Sequence, residues 1–317
     1  MNAERQRLDA HRWHWQHGPI DIVAEAHGAP EAVAAAHEAA WERFRGEDDG
    51  NGTTNNISQP AVRHGVLTEL VGELSLLRQP VTSATCPLHG PIAQRMWHAC
   101  APFLPEFITP MAAVAGSVAQ ELIACYQQPG IERAWLNNGG DIALHLAPGQ
   151  SVRVGLFSDL ARFDLADMGR LSTDGRFEIR HTDPVRGVAT SGWRGRSFSM
   201  GIADSVTVLA ATAAQADAAA SIIANAVNVS DAAIQRQSAN TLKDDTDLGE
   251  RLVTTSVLPL HPNQVQRALD AGEARARALQ QAGLVWAVLM VCQEQWRHVE
   301  PLSLLPETQK VAGAVLA

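Results

Sequence analysis
Asp217 and Ser221 lie four residues apart in the run Ala216-Asp217-Ala218-Ala219-Ala220-Ser221. On a helix that spacing puts a carboxylate and a hydroxyl on one face, with Asn225 a turn further along. Two hard oxygen donors so placed suit Mg²⁺, with water and a substrate phosphate completing an octahedron. Taken alone, Asp217 reads as a helix-start residue near the positive end of the dipole. A second carboxylate, Asp141, directly follows Asn137-Asn138-Gly139-Gly140. Asn-Gly-Gly between two alternating runs is a hairpin signal, since both central residues can take positive φ. Exposed backbone N–H groups beside Asp141 suit a polar ligand or a metal-bound phosphate; a simple tight turn is the competing reading.

Two further segments have unusual chemistry. From Gly187 to Gly201 the chain reads GVATSGWRGRSFSMG, with four Gly, three Ser, one Thr and two Arg. The hydroxyls of Thr190 and Ser191, the backbone around Gly192 and the guanidinium groups of Arg194 and Arg196 can hold phosphates or carboxylates. A solvated surface loop would have the same composition. In Met111–Leu122, Gly116 and Ser117 interrupt a run of Ala and Val, and a helical Gly costs about 1 kcal/mol relative to Ala. The missing side chain serves either close helix–sheet packing or close approach of a ligand. There is no Walker-type Lys loop and no Gly-x-Ser-x-Gly elbow. His11, His14 and His17 are three apart, a spacing that alternates faces on a strand and gathers no metal cluster.

These residues need elements to position them. Residues 10–24 alternate as a strand–turn–strand about Gly18-Pro19, with Trp13 and Trp15 on one side and His14 and Gln16 on the other. Helical spacing runs from Pro30 to Arg45, then again around His64–Leu77 and Ile92–Phe103. Thr109-Pro110 reads as an N-cap followed by Pro at the first helical position, opening the helix with Gly116. Strands and turns dominate from Ala134 to about Leu209, and an Ala-rich helix follows over about Ala214–Val227. A polar loop (RQSANTLKDDTD) leads to the strand LVTTSVLPL, an amphipathic helix near Pro262–Gln281 and a last strand, LVWAVLMVC. Long helices on a largely antiparallel sheet predict an α+β architecture.

Composition limits the function. The 317 residues carry 25 Lys+Arg against 34 Asp+Glu, a net charge of −9, which argues against a nucleic-acid or anionic-membrane partner. Hydrophobic residues at 46% and charged residues at 19% are ordinary for a soluble globular protein. The N-terminus shows no signal-peptide core, and no window approaches the ~18 apolar residues of a membrane helix. Four scattered cysteines form no C-x-x-C pair and fit reduced thiols in a cytoplasm.

Read in order, AGSVAQ, NNGGD, ATSG, SVTV and ADAAAS resemble the ApbE superfamily, whose best-known members are FAD:protein FMN transferases. The match covers about residues 109–228 and is nearest to the shorter cytoplasmic branch, not the exported lipoproteins. It implies an α+β, T-fold-like architecture of antiparallel sheets flanked by long helices, as one domain over 1–317 with an exposed loop at about 46–58. It implies Mg²⁺ at Asp217 and Ser221, and FAD bound along Gly116, Ser117, Asn138, Gly139, Gly140, Thr190, Ser191 and Gly192. Asp141, Arg194 and Arg196 would be the catalytic residues. Three departures stand out. Ala119 and Gln120 occupy the region where the transferases carry a Lys, the His-Ile-Ile-Asp-Pro stretch is absent, and Ser221 replaces a Thr.

Two functions follow from the resemblance. One is a protein that binds a flavin or other phosphorylated small molecule, with Mg-dependent FAD pyrophosphate cleavage or FMN transfer. The other is a non-transferase that binds a small metabolite on the same fold, as an accessory to sulfur or one-carbon metabolism. A purely structural oligomer fits least, because Gly, Ser and Asn in consecutive turns weaken regular elements. The expected partner is a small molecule, with no nucleic acid and no membrane; homo-oligomer formation is left open.

Overall fold
The computed structural model describes residues 2–46, 64–83, 85–156 and 175–301. Of the loop expected at about 46–58, residues 47–58 lie outside the described residues.

Thirteen strands are present among them. They are β1 (Glu4–Arg7), β2 (Arg12–His17), β3 (Ile20–Gly28), β4 (Ile131–Asn138), β5 (Asp141–Leu146), β6 (Ser151–Leu156) and β7 (Gly175–Arg180). The rest are β8 (Gly187–Ser191), β9 (Ser205–Ala210), β10 (Ile234–Ser238), β11 (Leu252–Val257), β12 (Ala287–Cys292) and β13 (Gln295–Val299). Nine of them form one sheet in the order β1-β2-β3-β4-β5-β8-β9-β12-β13, with every neighbouring pair antiparallel. Two hairpins, β6-β7 and β10-β11, stand apart from it. The helices are α1 (Pro30–Arg45), α2 (Val66–Gly72), α3 (Leu74–Leu77), α4 (Pro91–Cys100), α5 (Val114–Ile123), α6 (Ala213–Ala226), α7 (Ala239–Leu242) and α8 (Pro262–Gln281). This is the α+β architecture that the alternation and helical periods predict.

Because side chains alternate along a strand, neighbouring residues divide between two cores. Ala143, Ala189, Val208 and Val288 face the larger core, where α1, α4, α5, α6 and α8 contribute buried residues. Their chain neighbours Leu144, Val188, Leu209 and Ala287 face a smaller core completed by Val154 of β6 and Ile179 of β7. The sheet therefore has a helix face and a hairpin face. Asp141 shares its parity with Ala143, and Asn138 with Leu136, so both lie on the helix face.

The entry strands behave as the alternation requires: Trp15 is buried against Trp41 and Phe44, while His14 turns to the other face and meets Asp21. Three local readings change. Thr109 precedes a 3-10 turn at Pro110–Ala113, and its hydroxyl donates to Asp247 instead of capping the helix. Gly187–Ser191 is a strand, so the loop expected from Gly187 begins at Gly192. Residues Arg236–Ser238, read as loop, belong to β10 and pair with β11.

Candidate functional site
The site is built where the β4–β5 turn, the start of α5 and the first turns of α6 converge on the helix face. Gly139 (φ +67°) and Gly140 (φ +114°) form the two-residue turn between β4 and β5, a backbone that side chains with a Cβ resist. The Asn137 side chain closes the turn by accepting from the Gly140 N–H at 2.8 Å. The turn fixes Asn138 and Asp141 as a cross-strand pair. Asn138 donates to the Ala115 carbonyl at 3.1 Å, which ties the turn to α5.

From the opposite side, Asp217 of α6 accepts the Gly116 N–H at 2.9 Å, and the Ala115 amide also faces it. The carboxylate thus satisfies amides at the N-terminus of α5 that have no partner within their own helix. This approach requires a glycine. A Cβ on residue 116 would stand 2.3 Å from the Ala213 carbonyl oxygen and 2.9 Å from the Asp217 Cβ. Gly116 is therefore a close helix–helix contact, where its sequence suggests helix–sheet packing or close approach of a ligand. Ser117 is fully buried, and its Oγ has no hydrogen-bond partner among the described residues.

Asp141 is also buried, and its Oδ1 accepts the Thr190 N–H at 3.2 Å. Burial pushes its carboxyl up to about 7, against the Thr190 bond and the nearby Arg196 charge, which pull it down. Burial and the neighbouring Asp141 together push Asp217 well above the usual carboxylate range, with the Gly116 and Ala115 amides opposing them. Two buried carboxyl groups, one of them raised by the other, form a place where a cation would be stabilised.

The remaining candidates are distributed around this pair. Arg196 lies on the turn: a Cβ on Gly139 would meet its Nη2 at 1.9 Å. Arg194 does not share that position. Its Nε pairs with Asp204 at 2.8 Å and its guanidinium sits 5.2 Å from the Trp193 ring centroid. Thr190 reaches Asp141 through its backbone, but its hydroxyl bonds Thr207 at 3.0 Å on the hairpin face. Ser191 has the parity of Ala189 and so falls on the helix face, at the end of β8. Gly192 permits a backbone crossing, since a Cβ there would stand 2.4 Å from the Asp204 carbonyl oxygen. Ser221 is one turn along α6 from Asp217 and partly buried. Asn225, on the same face, is used structurally, accepting from Met200 N at 2.9 Å and Ser199 Oγ at 3.2 Å.

Two participants lie outside the candidate site residues drawn from the sequence. Gln120 accepts the Ala214 N–H at 3.2 Å and so holds the start of α6, while Ala119 beside it is buried. Asp204 gathers Trp193, Arg194 and Gln293 from three places in the chain.

The site's elements, β4, β5, α5, β8, β9 and α6, all fall within residues 52–298, which match a family model described as "AbpE bacteria". The chain belongs to that family. The match places it in the ApbE-like superfamily that the order of its motifs resembles. Among relatives of the AbpE-family chain is a UPF0280 protein of Methanospirillum hungatei, 37% identical over 125 residues, or 39% of this chain and 47% of that protein. Another, from Methanothermobacter thermautotrophicus, is 40% identical over 122 residues, 38% of this chain and 43% of the relative. The chain thus spans about half the length of these relatives. The flavin transferase ApbE from Vibrio cholerae, a solved structure, aligns at 14% identity with a TM-score of 0.38, over 95% of this chain and 98% of that one. No helix among the described residues is long and apolar enough to cross a membrane.

Proposed function
We propose that the chain binds a phosphorylated small molecule, with a flavin nucleotide such as FAD as the leading ligand, together with Mg²⁺ at Asp141, Asp217 and Ser221. The observation that carries this reading is the burial of Asp141 and Asp217 beside one another, under a glycine turn that bears the Arg196 guanidinium. Two carboxylates left together without a cation are mutually repulsive, so a divalent ion would offset both. The donor set fits Mg²⁺ in kind, being oxygen throughout. Among the described residues no group of three or more His, Cys, Asp or Glu side chains could hold a metal. The proposed ion would keep waters and take further oxygens from a ligand's phosphates. When bound, Mg²⁺ would supply charge neutralisation at the phosphates.

The chain's own residues have separate tasks in this reading. Asp217, seated on the α5 amides, and Asp141 on β5 would hold the ion. Arg196 would offer guanidinium N–H groups to phosphate oxygens beside the Gly139 turn. We extend the reading to one ApbE-like domain over 1–317, because both hydrophobic cores are built on the same nine-stranded sheet.

A specific observation favours binding without transfer as a second reading. The positions where the resembling transferases carry Lys are Ala119, buried, and Gln120, occupied in holding α6. Incubation with FAD and Mg²⁺ followed by gel filtration and absorbance separates the two. A co-eluting flavin band is expected; release of FMN and AMP would establish cleavage, and intact FAD would establish binding alone. Absence of any flavin band would remove the flavin reading.

A further inference from the structure
We infer that Asp204 is a positioning residue for the site, acting through the loop at 192–198 to set Arg196 on the Gly139-Gly140 turn. This rests on the reading that Arg196 serves the phosphate site.

Asp204 stands just before β9 and is buried, at 7% exposure. A buried carboxylate needs compensation, and this one has three donors. Its Oδ1 takes the Trp193 indole N–H at 3.2 Å and the Arg194 Nε at 2.8 Å, while its Oδ2 takes the Gln293 N–H at 2.6 Å. The backbone adds to the clamp, with Trp193 N bonded to the Ala203 carbonyl at 3.0 Å and Gly192 pressed against the Asp204 carbonyl. The start of the loop is thereby tied to Ala203 and Asp204, up to two residues before Arg196.

The third donor shows what the clamp is anchored to. Gln293 (φ 44°) and Glu294 (φ 67°) make the turn between β12 and β13, and neither is Gly. Left-handed backbone is costly for such residues and persists where the surroundings over-determine it. Here the Gln293 side chain donates to the Leu258 carbonyl at 2.8 Å and accepts the Leu260 N–H at 2.9 Å, while its own N–H is held by Asp204. Asp204 thus joins a turn fixed on two sides to a loop whose Arg194 through Phe198 are otherwise exposed. A loop made of Arg, Gly and Ser has high conformational entropy, and immobilising its base lowers what remains to be ordered when Arg196 meets an anion.

The test is calorimetric titration of Mg²⁺ and inorganic pyrophosphate into wild type, D204N, R196Q and the double variant, alongside amide hydrogen exchange. R196Q should weaken binding about tenfold, as loss of a charge-assisted hydrogen bond does. D204N should approach that loss, and the double variant should be no weaker than R196Q, because the first change acts through the second. Exchange at 193–198 should quicken in D204N while β8 and β9 stay protected. W193F, which removes one donor and leaves the Gln293 turn intact, should shift both readouts the same way by less. Unchanged binding in D204N, further weakening in the R196Q background, or exchange spreading through β8 and β9 would overturn the proposal. If wild type binds no pyrophosphate, the phosphate-site reading fails. Exchange then still decides whether Asp204 sets the loop, and an unaltered 193–198 pattern in D204N would overturn that as well.

Discussion
The helix face of the large sheet is packed in two different ways at its two ends. Under β2 and β3, α1 supplies Trp41, Phe44 and His37 against Trp15 and the His37–Tyr126 hydrogen bond of 2.7 Å. Under β5, β8 and β9, α5 and α6 supply Gly and Ala, and the backbones approach until a single Cβ at residue 116 would collide. Large rings fill space and leave little room for a ligand. Small residues bring amides and carbonyls close enough to bury carboxylates beside them. The first end buries large apolar side chains, and the second buries two carboxyl groups among small ones.

That contrast can be broken from either side. Trp15→Ala at the aromatic end should have the largest effect, a loss of about 3–5 kcal/mol by chemical denaturation, with ligand binding unchanged at temperatures where the variant stays folded. Gly116→Ala at the other end should cost about 1–3 kcal/mol through overpacking, and should also weaken cation-dependent binding by displacing Asp217. The aromatic end has its own pH limit. Burial lowers the His37 imidazole from its ordinary 6.5 to about 4. The folded state therefore holds it neutral where the unfolded chain would be protonated. Stability from this residue is fully present above pH 6.5 and declines as pH falls through 6.5 towards 4, so the thermal midpoint should drop across that window. In His37→Gln the drop should be shallower.

The smallest change in stability is expected at the site itself. Asp217→Asn keeps an oxygen for the Gly116 amide and removes the repulsion with Asp141, so stability should move by less than about 1 kcal/mol, in the favourable direction. A loss of several kcal/mol there would mean that Asp217 is a structural cap and nothing more.

How much of this could be read in the sequence depended on how local the signal was. The β4–β5 turn was legible because Asn-Gly-Gly satisfies its own positive φ values, and α8 because its periodicity and Pro262 mark the start. β1 was missed: Glu-Arg-Gln-Arg is exposed throughout and has no alternation to detect. Asp217 and Ser221 could be placed on one helix face from spacing alone. That the Thr190 hydroxyl faces away from Asp141 needed the register of β8 between β5 and β9. Asp204 could not be found that way, since its partners lie 11 and 89 residues distant and Asp before a strand is common. The two arginines, two residues apart and alike in sequence, separate for the same reason: only the fold shows that one meets Asp204 and the other Gly139.

The measurement that bears most directly on the paired carboxylates is calorimetric titration of FAD into wild type and Asp217→Asn, each with and without Mg²⁺. Binding in wild type that depends on Mg²⁺, and its loss by about a hundredfold or more in the folded variant, is the expected result. Equal affinity with and without Mg²⁺, or in both proteins, would contradict the assignment of Asp141 and Asp217 as a cation site.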